Sequence, residues 1–283
     1  MSIHGILGEH TTDYPTQYDP SLLYPIARSL GRDVIGGDAT RLAQGVDWWH
    51  AFELSWLDAR GISQVAMARL AIPADSPSII ESKSLKLYFN SLNFTVFESW
   101  DAVSAQITED LSACLQAAVE VSLFALGEMP ESLQISQPAG SCIDEALAES
   151  TDKVALCAHP DASLLQAAGE MTDANEAQLL YCNLLRSNCP VTNQPDWGTL
   201  QVHIVSAKKV DTAALLRYVL SFRQHNGFHE QCVEQIFADL SAFYAPTELM
   251  VRAWYTRRGG IDINPCRVSD SRLLPAPSRL IRQ

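Results

Sequence analysis

Two stretches near the start alternate apolar and polar residues at the two-residue period of a half-buried strand. One is Trp48 to Asp58, written WWHAFELSWLD, and the other is Ile62 to Ile72; Ala59 to Gly61 turn the chain between them. After a proline-bounded break, Ser82 or Ser84 is placed to cap a helix over the apolar run LKLYFNSL. Trp100 to Ala118 carries helical spacing with Asp101 near its start, and Val119 to Leu126 reads as a strand. In the second half, Glu176 to Arg186 reads as a helix. Cys189 to Gln194 and Trp197 to Ser206 read as a strand pair. Asp211 to His225 and Phe228 to Tyr244 repeat apolar residues every three and four positions and predict helices. Leu249 to Arg257 and Ile261 to Asn264 read as closing strands.

Both halves therefore read strand, strand, helix, helix, strand, and residue echoes support a duplication. Gly61, Gln64 and Val65 return as Gly198, Gln201 and Val202 at an offset of 137, and Leu85, Tyr88 and Ser91 return as Leu215, Tyr218 and Ser221 at an offset of 130. The division that follows is an irregular arm at 1–45, a first module at 46–135, a connection at 136–175 and a second module at 176–283. On these offsets Cys189 faces Phe52 in the other half and Asp196 faces Ala59, while Glu81, Ser82 and Lys83 face Asp211, Thr212 and Ala213. The polar residues are split between the halves, as for one site built from both.

At 283 residues and 47% hydrophobic the chain suits a globular protein. No apolar run reaches the roughly 18 residues of a membrane span, and the first residues lack the pattern of a signal peptide. Seven cysteines without a CxxC suit a reducing cytoplasm. A net charge of −13 argues against a nucleic-acid partner. Two local basic clusters, Lys83 with Lys86 and Arg257 with Arg258 before Gly259 and Gly260, are suited to anionic cofactor groups. Neither GxGxxG nor GxxxxGK[ST] occurs, so a nucleotide is not held in Rossmann or P-loop fashion.

The chemistry gathers on Ser187 to Trp197, where Asn193, Gln194 and Pro195 form a turn signal between Cys189 and Asp196. A chain doubling back there brings a nucleophile and a proton donor to one hairpin mouth. Cysteine is by default a core residue, and a preceding helix pointing its C-terminus at Cys189 would not lower its pKa. Asp196 is by default a turn former; beside the Trp197 indole its carboxyl would stay protonated and able to donate. His229 and Glu230 open the last long helix, and a glutamate there suits either a helix start or two N–H donors of a guanine-type edge. His229 and Cys232, with Cys189, also imitate a zinc site, though no second close ligand pair exists.

Four stretches carry a resemblance: IESKSLKLYFNS at 80–91, SNCPVTNQPDWG at 187–198, SFRQHNGFHEQCVE at 221–234 and YTRRGGIDINP at 255–265. Together they resemble the NADPH-dependent 7-cyano-7-deazaguanine reductases, the nitrile reductases of queuosine biosynthesis, in their long two-module form. The resemblance implies an α+β tunnelling fold of two tandem ββααββ modules with antiparallel sheets, working in the cytoplasm as a homodimer or higher oligomer. It implies that Cys189 adds to the nitrile as a thioimide and that Asp196 transfers protons. Ile80, Glu81, Ser82, His229 and Glu230 are expected to bind the deazaguanine. Ser82, Lys83, Arg258 and Gly259 are expected to contact NADPH, with no metal. The readings set against it are a zinc-dependent pterin or GTP hydrolase of the same fold and a nucleobase-binding module without catalysis.

Overall fold

The computed structural model describes residues 14–36, 39–128, 130–171, 173 and 176–283. Its main sheet has eight strands: β1 (Gly45–Leu57), β2 (Ser63–Pro73), β3 (Glu120–Phe124), β4 (Ser141–Cys142), β5 (Ala177–Asn188), β6 (Pro195–Val205), β7 (Glu248–Tyr255) and β8 (Ile261–Val268). They lie in the order β3-β2-β1-β8-β7-β6-β5-β4, and every neighbouring pair is antiparallel except β4 with β5. Four longer helices accompany them: α1 (Ser82–Leu92), α2 (Trp100–Leu115), α3 (Thr212–Ser221) and α4 (His229–Tyr244). The chain is α+β.

Successive strand residues point to opposite faces, and the cores follow that rule. Trp49, Ala51 and Leu70 meet Leu85, Tyr88 and Ile107 of α1 and α2 in one core. Leu200, Val202 and Ile204 meet Tyr218, Val233 and Phe237 of α3 and α4 in the other. Ile261 and Ile263 of β8 join the first core, because β8 pairs with β1 and opposes Ile263 to Trp49. The last strand thus closes the second half onto the first. On the reverse face Trp48, Met250 and Cys266 form a small cluster under Leu273.

Several sequence readings are corrected. Residues 176–186 are not a helix: from Ala177 on they belong to β5, which pairs with β6, and Cys189 to Gln194 is the turn between those strands rather than a strand. The physical cause is a β-bulge, in which Asn183 and Leu184 together oppose Thr199. Burial runs Leu180, Cys182, then Leu185, Ser187, so the two-residue period slips at the bulge and imitates a helix. No helix C-terminus therefore precedes Cys189 in the chain. Neither Ser82 nor Ser84 caps α1; the Glu81 carboxylate does, accepting from the N–H groups of Lys83 and Ser84 at 2.9 and 2.7 Å.

The offset of 137 also fails. β1 has a matching bulge in which Phe52 and Glu53 together oppose Met67, so Ala51 answers to Cys182 and Leu54 to Leu185. The structural offset is 131 in the first strand and 132 in the second, which sets Asp58 opposite Cys189 and Gln64 opposite Asp196 in place of Phe52 and Ala59. The offset of 130 holds at the helices, where Asp211 caps α3 as Glu81 caps α1.

The irregular reading of 1–45 does not hold for the residues described. Pro25–Ala27 pairs with Ser78–Ile80, and Ser29–Ile35 is a short helix. Residues 1–13 lie outside the described residues, as do 172, 174 and 175 of the connection. The sequence DPSLL at 19–23 recurs as DASLL at 161–165, a repeat that the two noted offsets had missed. Asp19 and Asp161 each cap a single 3-10 turn. Their backbone N–H groups donate to Ser91 and Ser221, whose hydroxyls donate to the carbonyls of Tyr88 and Tyr218.

Candidate active site

The β5–β6 turn is closed by its backbone. Cys189 N–H donates to the Gln194 carbonyl at 2.9 Å, and Asn193 N–H donates to the Cys189 carbonyl at 3.0 Å. Asn193 adopts φ +55°, a conformation asparagine tolerates better than most residues. Asn188 is clamped from the other side. Its N–H donates to the His225 carbonyl at 2.8 Å and its carbonyl accepts from Gly227 N–H at 3.1 Å, fixing the hairpin beside the start of α4. A second hairpin, between β7 and β8, turns through Gly259 and Gly260 at φ +57° and +77°. Positive φ at both central residues matches the twist of the flanking strands and favours glycine. That turn delivers Arg258.

Arg258 Nε lies 2.9 Å from Asp196 Oδ1, and Arg258 donates to Gln194 Oε1 at 2.8 Å. His229 Nε2 lies 3.3 Å from Asp196 Oδ2. The His229 ring stacks on Tyr255 with centroids 3.8 Å apart and planes 7° apart. The expectation of an indole beside Asp196 is replaced by this cation and imidazole. Trp197 faces the other way, between the guanidiniums of Arg186 and Arg223.

Cys189 is buried, and burial alone would raise its thiol pKa. Hydrogen bonds from the Thr192 hydroxyl and N–H, the Val191 N–H and Arg258 outweigh that and hold it below the ordinary value. By contrast, burial pushes the Cys232 thiol up to about 12. Burial pushes the Glu230 carboxyl up to about 8; Asp47 adds to the rise, while Arg28 and Arg267 oppose it. The Glu81 carboxyl is raised by burial against the pull of its two N–H donors.

One cleft joins these parts. Cys189 and Asp196 line it with Ile80, Glu81, Ser82, His229 and Glu230. Glu81 meets it with both oxygens already engaged by α1. Glu230 Oε1 and the Nε1 of Trp49, which also lines the cleft, are buried without hydrogen-bond partners. An acceptor and a donor are thus left over for a ligand edge. A second groove shares Ser82, Cys189 and Arg258 with the first and continues over Lys83, Lys86 and Gly259. A Cβ on Gly259 would stand 3.1 Å from Lys86 Nζ, so the glycine keeps room beside the cation. Arg257, the other half of the second basic cluster, sits instead over the Phe52 ring. Thr192, Gln194, Trp49 and Tyr255 join the site beyond the residues that the sequence points to, and Lys86 joins it from the first basic cluster. Only Lys86 left a signal in the sequence, one helical turn after Lys83.

No group of three His, Cys, Asp or Glu side chains among the described residues is arranged to hold a metal ion. Among the described residues, no helix is long and apolar enough to cross a membrane.

Comparison with known proteins places the chain in a family. A family model described as "Nitrile reductase, 7-cyano-7-deazaguanine-reductase N-term" matches residues 14–123, and one described as "QueF-like protein" matches residues 195–272. Proteins named NADPH-dependent 7-cyano-7-deazaguanine reductase are similar over the whole of both chains. Those of Psychrobacter arcticus and Psychrobacter cryohalolentis are 67% and 68% identical, and that of Acinetobacter baumannii is 52% identical.

Proposed function

Since this chain belongs to the QueF family of 7-cyano-7-deazaguanine nitrile reductases, we propose that its cleft converts the nitrile of 7-cyano-7-deazaguanine to the primary amine of 7-aminomethyl-7-deazaguanine, in queuosine biosynthesis. The observation that carries the residue roles is the meeting of a thiol of lowered pKa, a buried carboxyl 3.3 Å from an imidazole, and an unpaired Glu230 oxygen in one cleft.

Glu230 accepts the N–H groups of the aminopyrimidinone edge, with His229, Ile80 and the Glu81–Ser82 backbone walling the base. The Cys189 thiolate adds to the nitrile carbon, forming a C–S bond and breaking one C–N π bond. Asp196 delivers a proton to the nitrogen, giving a covalent thioimide. NADPH, when bound, would supply the hydride for each reduction of that carbon. Cys189 leaves as thiolate between the two reductions, and Asp196 returns protons to the nitrogen. Ser82, Lys83, Lys86, Arg258 and Gly259 form a cationic, backbone-accessible groove next to Cys189 that suits the cofactor's phosphates.

We read the halves as tandem ββααββ modules of the tunnelling fold, on the strength of their matched bulges, caps and serine–tyrosine contacts. A homodimer or larger assembly is supported by Ile62, Val65, Phe94 and Val96, apolar residues about half to two-thirds exposed near the tip of the first hairpin. All seven cysteines are free, which suits a cytoplasmic enzyme.

Intact mass measurement after mixing with 7-cyano-7-deazaguanine in the absence of NADPH tests the reading. The protein gains the mass of the whole nitrile and loses it on addition of NADPH. Binding without any adduct on reduced protein would exclude the covalent route. Two further outcomes are expected. Glu230→Gln raises the KM for the nitrile by about 10- to 100-fold, from a charged hydrogen-bonded contact of roughly 1.5–3 kcal/mol. Lys86→Ala raises the KM for NADPH by about tenfold, on the same scale for a charged contact, and leaves nitrile binding unchanged.

A further inference from the structure

A buried ionic cluster lies behind Glu230. Arg28 pairs with Asp47 at 2.6 Å; Arg267 pairs with Asp47 at 2.6 Å and with Glu234 at 2.8 Å; Arg32 pairs with Glu234 at 2.7 Å. Arg28, Asp47, Glu234 and Arg267 are each no more than 3% exposed. The residues come from four places: the segment before β1, β1 itself, α4 and β8. Three guanidiniums face two carboxylates, so the cluster is one negative charge short of neutrality. A further buried carboxyl is Glu230, one turn before Glu234 on α4 and within electrostatic reach of Arg28, Arg267 and Asp47. Two orphaned atoms complete the pattern. Arg28 Nη1 is buried without a hydrogen-bond partner, 3.7 Å from Glu234 Oε1, and Glu230 Oε1 is buried without one.

We propose that Arg28 is a positioning residue for nucleobase recognition: the unbalanced positive charge of its cluster favours ionisation of Glu230 to the carboxylate that accepts the base's N–H donors. The inference rests on the reading of Glu230 given above. It gives the segment before β1 a part in substrate binding, although Arg28 itself does not line the cleft. Other charged groups around Glu230 are Glu81 across the cleft, His229 beside it, and Asp196 with Arg258 beyond His229.

The sign of the pH dependence follows. Glu230 is an acid whose pKa is raised to about 8, so the accepting carboxylate forms as pH rises, and nitrile binding tightens up to about pH 8 and then levels. Asp47 pushes this midpoint up and Arg28 pulls it down. Calorimetric titration with 7-cyano-7-deazaguanine from about pH 6 to about pH 10.5, in a Cys189→Ala background that forms no adduct, reads the midpoint directly. Arg28→Gln is expected to raise it by about one unit, so that Kd at pH 7 rises about tenfold while Kd well above the midpoint converges on the parent value. Arg28→Lys, which keeps the charge, leaves the midpoint near the parent value, and Asp47→Asn lowers it. A Kd raised by one factor at every pH, or an unmoved midpoint in Arg28→Gln, overturns the proposal. If Arg28→Gln does not fold, Asp47→Asn and Arg28→Lys decide: a midpoint not lowered in the first, or displaced in the second, overturns it equally. Glu230→Gln in the same background separates the two layers. If it leaves Kd unchanged, the reading of Glu230 fails; if it raises Kd while Arg28→Gln moves nothing, only the role of Arg28 fails.

Discussion

Cys189→Ala is expected to bind 7-cyano-7-deazaguanine within a few-fold of the native affinity and to reduce it at least about 10⁴-fold more slowly, as for loss of an enzymic nucleophile. NADPH oxidation under saturating nitrile measures the loss, and titration of the nitrile measures the retained affinity. The two should separate because binding is assigned to Glu230, His229 and the α1 start, whereas bond making is assigned to one sulfur atom. A companion substitution tests why that sulfur is reactive. Burial works against the thiolate, and the Thr192 hydroxyl and N–H lead the groups that restore it. Thr192→Val therefore raises the thiol pKa and moves the rise of adduct formation with pH to higher pH, leaving the limiting rate at high pH little changed. Substantial turnover by Cys189→Ala would rule out a covalent mechanism.

Asp196→Asn is expected to lower kcat by about 10²–10⁴-fold, the range for loss of a positioned general acid–base. The KM for the nitrile should change much less. An amide keeps the shape but loses the transferable proton and the charge that faces Arg258 Nε at 2.9 Å. Arg258, which already hydrogen-bonds the Cys189 sulfur, then loses its competing carboxylate, so the thiol is more readily ionised and yet less productive. Rapid mixing followed by intact mass measurement distinguishes the effects: iodoacetamide alkylates Cys189 at an undiminished rate, while the nitrile adduct forms slowly. Equal slowing of both reactions would point to a collapsed site instead of a missing proton donor.

Much of this site was legible because its residues lie in short local motifs. A turn signal between Cys189 and Asp196 is enough to bring them to one hairpin mouth, and paired glycines after Arg258 announce a tight turn. Glu230 at a helix start was legible for the same reason. The helices carried their spacing plainly. What failed were features set by contacts distant in sequence. The bulge at Asn183 and Leu184 disguised β5 as a helix, because its effect on the period is visible only when β6 is paired with it. The apolar Trp197 was taken as the neighbour of Asp196, when strand alternation turns it away and Arg258, 62 residues on, takes that place. Arg28 drew no notice, since a lone arginine in a weakly periodic segment says nothing until Asp47 and Arg267 close around it.

The matched bulges carry a consequence for how such a site can arise. The first hairpin bends by the same device as the second, yet at the place corresponding to Cys189 it has Asp58, whose carboxylate holds its own turn through the N–H groups of Arg60 and Ile62 at 2.9 Å each. The bend is therefore common to both hairpins, and the reactivity belongs to the tip of one of them. The same bent strands carry a self-capped turn at one tip and, with a turn one residue longer, a thiol and the Thr192 and Val191 groups that ionise it at the other.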